Sequence, residues 1–308
     1  MILESLVNWT SEASIGVDYD ILITSCAIEE RSINFARNFK GVARRKISIL
    51  YDEASEAFIS EYKDLGFEIS EFTIFENFFS QLISGMNESL SILIDVSCMS
   101  RHAMAVVLAN ISTLAVPSVK LHVNYTIARY SVPPADIGAN ESIEAVHSCF
   151  SGWSYADSKP TSLILGLGYE PFKAEGASEY FEPYDQWVFV PDSPVEEYLP
   201  VVIENNQELI SRSSGASKAI YYRVDDPEMT FGQLEQVVSL LMQTTNPVLM
   251  PFGPKILFFL CLVQSLCHSE VGVWCVTGIH SSEKNAVEAS DYSCGVECIF
   301  VQSAEVAE

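Results

Sequence analysis

The run Asp95-Val96-Ser97-Cys98-Met99-Ser100-Arg101 is where residue types and spacing speak most directly of chemistry. A carboxylate closes an apolar stretch, two hydroxyls follow, and a guanidinium opens the next apolar segment. Asp95 can accept from a ribose hydroxyl or orient the turn, Ser97 and Ser100 can donate, and Arg101 can fork onto a phosphate. The same residues also suit a plainer end, in which Asp95 or Ser97 caps a helix and Arg101 pairs with a neighbouring acid. His102 reads as a helix-face residue.

Three further segments repeat the theme with fewer groups. Thr24-Ser25-Cys26-Ala27-Ile28-Glu29-Glu30-Arg31-Ser32 is a small-polar turn opening a helix. There Ser25 and backbone N–H groups can receive an anion with Arg31 as clamp, or the turn is a hydroxyl cap with a solvated arginine. Gly166-Leu167-Gly168-Tyr169-Glu170-Pro171 offers close backbone approach but lacks the third glycine of a dinucleotide fingerprint, and Pro171 suits the first helical position. Met250-Pro251-Phe252-Gly253-Pro254-Lys255 sets a cation at a helix start, against the helix dipole, so Lys255 faces either an anion, a partner carboxylate or solvent. Arg129, beside Tyr125 and Tyr130, can line the same cleft as Arg101.

Other chemistries lack their residues. His122, His147, His268 and His280 show no metal spacing, and HExxH, GxSxG and GxxxxGK[ST] are all missing. No catalytic base is evident, so no catalytic residue, metal or cofactor is expected, and an enzyme is the less favoured class. The pairs Glu196-Glu197 and Asp225-Asp226 read as solvated acids.

The elements that must position these groups alternate between short apolar runs and longer helix-like segments, as in α/β units around a parallel sheet. Strands are expected at Asp20–Thr24, Lys46–Tyr51, Phe67–Phe72, Ser91–Val96 and Val119–Tyr125, then at Ser162–Leu165, Gln186–Val190, Ala219–Arg223, Pro247–Met250 and Gly272–Val276. Two tandem Rossmann-like parallel-sheet halves follow, an internal structural duplication over 1–130 and 161–308. Between them, 131–160 carries Pro133, Pro134, Gly138, Gly152 and Pro160 and reads as a linker with one short helix near Ser142–Cys149. A single ten-strand sheet is the competing architecture. In such sheets ligands bind beyond the carboxyl ends of the strands at the switch point, after strands one and four.

Composition narrows the partners. The 308 residues are 48% apolar, which excludes wholesale disorder, and 17 Lys+Arg face 41 Asp+Glu for a net charge of −24. That charge repels phosphate backbones, so a DNA or RNA coat is excluded unless cations gather in one cleft, and a basic protein partner fits better. The eight cysteines form no CxxC pair and read as reduced core residues of a cytoplasmic protein. Met1–Thr10 lacks the basic and apolar regions of a secretory signal, and the apolar run Ile256–Val263 falls short of the roughly 20 residues a membrane span needs.

The segment Asp95–Met104 resembles the strand-four signature of CRISPR-associated Rossmann-fold sensor domains. In that signature an aspartate, a hydrophobe, a hydroxyl residue, two glycines, a second hydroxyl residue and a basic residue lead into a helix. Asp95, Val96, Ser97, Ser100 and Arg101 match, while Cys98 and Met99 stand where the glycines would be. The tandem arrangement is similar to that of SAVED domains, which fuse two such units in one chain. The resemblance implies a cyclic oligonucleotide between the carboxyl ends of both sheets, nearest to Ser25, Arg31, Ser97, Ser100, Arg101 and Lys255. It also implies antiviral defence in a prokaryote and an effector subunit acted on in trans. A sensor of a nucleotide-type anion is therefore the first expectation. A non-catalytic accessory subunit contacting a basic partner is the second. A phosphodiesterase acting on its own ligand, with Ser100 and Arg101 positioning a ribose hydroxyl, is the third.

Overall fold

The computed structural model describes residues 1–52, 54–132, 140–152, 158–278 and 287–302. The chain forms two compact units, one of Met1–Arg129 with Ala286–Glu308 and the other of Tyr130–Asn285.

The first unit begins with strand β1 (Ile2–Asn8) and continues as β2 (Asp18–Cys26), α1 (Arg31–Asn38), β3 (Val42–Leu50), α2 (Glu56–Asp64), β4 (Glu68–Glu71), α3 (Phe72–Ile83), β5 (Leu90–Asp95), α4 (Arg101–Ser112) and β6 (Ser118–Ala128). Strands β2 to β6 are parallel and lie in the order β4-β3-β2-β5-β6. Ile21, Leu22 and Ile23 of β2 and Ile92, Leu93 and Ile94 of β5 are all fully buried, which requires cover on both faces of the sheet. On one face Leu22, Cys26 and Leu93 pack with Ile33 and Phe35 of α1 and Tyr62 of α2. Helices α3 and α4 pack side by side.

The second unit contains β7 (Asn140–Ala145), β8 (Thr161–Gly166), α5 (Lys173–Phe181), β9 (Asp185–Asp192), α6 (Tyr198–Asn205), α7 (Gln207–Gly215), β10 (Ala219–Arg223), α8 (Pro227–Leu241), β11 (Asn246–Pro251), α9 (Lys255–Cys267) and β12 (Gly272–Gly278). Its sheet runs β10-β9-β8-β11-β12-β7, parallel except for β7, which is antiparallel to β12. Each unit thus orders its five parallel strands third, second, first, fourth, fifth. Leu163, Leu165, Val188, Val190, Val248 and Met250 form the second core with Ala174, Ala177, Val202 and Leu209.

All ten expected strands are present, with ends shifted by a few residues. The expected helix near Ser142–Cys149 is instead β7 followed by one turn of 3₁₀ helix, Ser148–Phe150. The stretch 131–160 therefore supplies a strand to the second sheet, while Pro133, Pro134 and Gly138 lie outside the described residues.

The end of the chain departs further from expectation. Strand β13 (Ala289–Val301) returns to the first sheet, antiparallel to both β6 and β1, so the full order there is β1-β13-β6-β5-β2-β3-β4. The second half accordingly does not run to residue 308. Gly295 admits this return: a Cβ there would lie 2.1 Å from the Val123 carbonyl oxygen and 3.0 Å from the Trp9 ring.

Candidate functional site

In the first unit β2 and β5 are neighbours, pairing Ile21 with Ile92 and Ile23 with Ile94, and they mark the switch point of the sheet. The polar residues beyond their carboxyl ends fall into two groups.

The first group satisfies itself. Asp95 is buried, and its Oδ1 accepts from Ser97 Oγ at 2.6 Å and Asn124 Nδ2 at 2.9 Å. Ser97 Oγ accepts in turn from the Thr126 backbone N–H at 2.8 Å, so the end of β5 is stitched to β6. Burial pushes the Asp95 carboxyl up, against the hydrogen bonds from Ser97 and Asn124 and the charge of Arg31. Arg31 is not solvated: it is 7% exposed, its Nε and Nη2 donate to Glu29 Oε2 at 2.9 and 2.6 Å, and its Nη1 donates to the Thr126 carbonyl at 3.1 Å. Burial opposes that charge, but the acidic groups of Cys98, Glu29 and Tyr125 outweigh it and hold the guanidinium protonated. Cys98 also points its Sγ to Glu29 Oε2 at 3.7 Å.

The second group sits at the start of α4. Ser100, rather than Asp95 or Ser97, caps this helix, its Oγ accepting from the Ala103 N–H at 3.1 Å. The Ser100 N–H donates to the Tyr51 hydroxyl at 2.8 Å, and the Tyr51 ring packs on Phe72 at 5.2 Å. Ser25 lies within β2 rather than in the following turn. Its Oγ is buried and makes no hydrogen bond of normal geometry, although it is near enough to Tyr51 to favour the ionised phenol. Burial dominates at Tyr51, pushing its hydroxyl up and keeping it protonated. Arg101 is the first residue of α4 and is half-buried. Two hydroxyls and the start of a helix whose first residue is Arg101 thus lie beyond the carboxyl ends of the strands, a donor-rich arrangement that suits an anion.

In the second unit the glycines accommodate the chain itself. A Cβ on Gly166 would meet Leu257 Cδ2 at 2.4 Å, one on Gly168 the Phe252 carbonyl oxygen at 3.0 Å, and one on Gly253 the Leu167 carbonyl oxygen at 2.4 Å. The loops after β8 and β11 pack backbone to backbone, with the Phe252 N–H donating to the Gly166 carbonyl at 2.7 Å. Asn206 Nδ2 holds the Gly168 carbonyl at 2.9 Å. Helix α5 begins at Lys173, two residues beyond Pro171, and Lys255 opens α9 behind Pro254, half-buried.

Tyr51, Glu29, Asn124 and Thr126 complete the first-unit site and were not expected from sequence. Tyr51 follows β3 directly, at the same sheet edge as Ser25 and Ser100, so the residue after each carboxyl end was the available signal. The arginines of the stretch from Arg31 to Lys46 are each paired with an acid. Arg37 pairs with Glu30 and Glu61, Arg44 with Asp20, and Arg45 with Glu68. Acidic residues outnumber basic ones in both units. Arg129 pairs with Glu288 at 3.1 Å.

Among the described residues no group of three His, Cys, Asp or Glu side chains could hold a metal ion, and His280 lies outside them. No helix among them is long and apolar enough to cross a membrane. Cys26, Cys98, Cys261, Cys294 and Cys298 are buried, whereas Cys149 and Cys267 are exposed. Burial raises the Cys26 thiol to about 11, as expected of a thiol acting as a hydrophobe. No protein-family model matches this chain, and no curated protein matches it.

Proposed function

We propose that this chain is a ligand-sensing module whose first unit receives the phosphate-type anion of a nucleotide at the start of α4. The observation that carries the reading is the buried Ser25 hydroxyl beside Tyr51 and Ser100, at the switch point and next to Arg101. Ser25, Tyr51 and the α4 N-terminus supply donors, and Arg101 supplies the balancing charge. Asp95 and Arg31 act as positioning residues, holding the β5–α4 and β2–α1 loops through Ser97 and Thr126. The resemblance of Asp95–Arg101 to nucleotide sensors supports a nucleotide or cyclic oligonucleotide as the ligand.

A second reading, an accessory subunit that binds a protein partner and no nucleotide, has its own support. Asp95, Ser97 and Arg31 are engaged with residues of this chain, and the second-unit glycines are approached by Phe252 and Leu257.

Thermal unfolding with mononucleotides, dinucleotides and cyclic oligonucleotides separates the two. A ligand at about one hundred times its Kd adds roughly 2.7 kcal/mol to the folded state and raises the midpoint. The sensor reading expects a rise confined to one nucleotide class, lost in Arg101→Ala and reduced in Ser25→Ala. No rise with any nucleotide, or an Arg101→Ala protein that responds like the parent, overturns it in favour of the accessory subunit.

A further inference from the structure

Helix α5 in the second unit is anchored by one face only. Ala174 and Ala177 lie in the core, and Phe181 sets its ring edge to face with Trp274 at 5.5 Å. The rest of the segment presents large aromatic rings to solvent: Phe172 is 75% exposed, Tyr180 64% and Tyr184 76%. Within α5, Gly176 and Tyr180 are four residues apart and share a face, so the missing side chain at Gly176 leaves space beside the Tyr180 ring.

Phe172 has φ 64° and ψ −13°, a left-handed conformation that bulky L-residues rarely adopt. Its carbonyl accepts from the Gly176 N–H at 2.9 Å as the cap of α5, and its ring is left to solvent. The aromatic strip is also strongly acidic. Between Tyr169 and Asp185 the chain has five Asp or Glu residues; Glu170 pairs with Lys173 at 2.8 Å and Asp185 with Lys218, while Glu175, Glu179 and Glu182 lie within the aromatic segment. Glu179 and Glu182 are exposed beside Tyr180, and Glu175 is half-buried one turn earlier.

Charge selects the occupant. A second copy of this chain, a nucleic acid and an anionic bilayer all carry negative charge and would be repelled. A Lys/Arg-rich segment meets both features: its cationic heads lie on aromatic faces and against carboxylates, and its aliphatic stems cover apolar area. We propose that the Phe172–Tyr184 face of α5 is a docking surface for a Lys/Arg-rich segment of a basic partner protein. It belongs to the second unit and does not depend on the anion site proposed in the first.

Fluorescence anisotropy of the full chain with a labelled peptide alternating arginine and leucine tests this, with a glutamate–leucine peptide of equal length as counterpart. The arginine peptide is expected to bind the parent and the glutamate peptide not to. Phe172→Ser with Tyr180→Ser should raise Kd about tenfold, the loss expected of two cation–π contacts. Glu175→Gln with Glu179→Gln should weaken binding in a salt-dependent way. The same neutralisation on the first unit, Glu4→Gln with Glu12→Gln, should change Kd less than about twofold. Hydrogen exchange should slow in 172–184 on peptide addition. An aromatic variant that binds like the parent overturns the proposal, as does a first-unit pair that weakens binding as much as Glu175 and Glu179, or a parent that binds neither peptide.

Discussion

At the scale of single residues, the sharpest internal constraint is a chain of three side chains in the first unit, buried Tyr19 and His122 and half-buried Glu297. His122 is 3% exposed, with Nδ1 at 2.7 Å from the Tyr19 hydroxyl and Nε2 at 2.6 Å from Glu297 Oε2. The Trp9 ring stacks on it at 4.9 Å. A Glu297 carboxylate can only accept, so Nε2 carries the proton and Nδ1 accepts from Tyr19. Burial lowers the His122 pKa below its ordinary 6.5, against the pull of Glu297, and the bond to His122 lowers that of Glu297 below 4.5. Both shifts make the unfolded chain the better proton acceptor on acidification. Stability from His122 is therefore complete above about 6.5 and falls as pH drops from there toward its folded value, and the Glu297 contribution is lost below about 4.5. His122→Leu would strand the buried Tyr19 hydroxyl and cost about 2 kcal/mol at neutral pH. Urea unfolding at pH 7.5, 6.0 and 5.0 should show a steeper decline in the parent than in the variant. Parallel declines would remove His122 from the account.

At the scale of elements, capping is the feature that sequence and structure weigh differently. Asp225 and Asp226 read as solvated acids in a chain rich in them, yet each has a local task. Asp225 pairs with Arg223 at 2.8 Å, and Asp226 Oδ1 accepts from the Met229 N–H at 3.2 Å at the start of α8, one residue before Pro227. Asp226→Ala should cost about 1 kcal/mol, with Asp226→Asn retaining most of the cap. Equal stability of Asp226→Ala and the parent in urea would show that solvent satisfies that N–H instead. The same contrast explains what was legible elsewhere. The central parallel strands stand out because strands buried on both faces must be continuous apolar runs, as Ile92-Leu93-Ile94 and Leu163-Ile164-Leu165 are. The antiparallel strands β1, β7 and β13 do not. In β13, Val296, Cys298 and Phe300 are buried but Glu297 intervenes, and β7 mixes Asn140, Glu141 and Glu144 with Ile143. The site divides in the same way. Asp95–Arg101 is contiguous and could be read as one loop before one helix. Tyr51, Asn124 and Thr126 reach it from β3 and β6, and their register against β5 exists only once the strand order is known.

At the scale of the molecule, the path of the chain makes the two units unequal. All pairings of the second sheet fall within residues 140–278, so a fragment of residues 130–285 keeps every strand neighbour it has. A fragment of residues 1–129 keeps its five parallel strands but loses β13. Strand β1 then has no sheet neighbour, β6 becomes an edge, and His122 loses Glu297. An unpaired β6 would expose backbone groups and the apolar residues that β13 covers, an invitation to aggregation. The 130–285 fragment should therefore unfold cooperatively in urea, whereas 1–129 should be poorly soluble or lack a cooperative transition. The register supplies the decisive control. Ile2 pairs with Val301, so the end of β13 lies beside the start of β1, and an Asn-Gly turn joining Gln302 to Met1 would make the two a hairpin. The permuted fragment, residues 286–302 followed by that turn and residues 1–129, restores every neighbour of the first sheet in one short chain. It should recover a cooperative transition that 1–129 lacks, and it should lose it again with Gly295→Ala, whose Cβ would drive into the Val123 carbonyl. If 1–129 already unfolds as cooperatively as the permutant, β13 is an ornament on a self-sufficient five-strand core. If it does not, the first unit is completed only by β13, which follows the whole of the second unit in the chain.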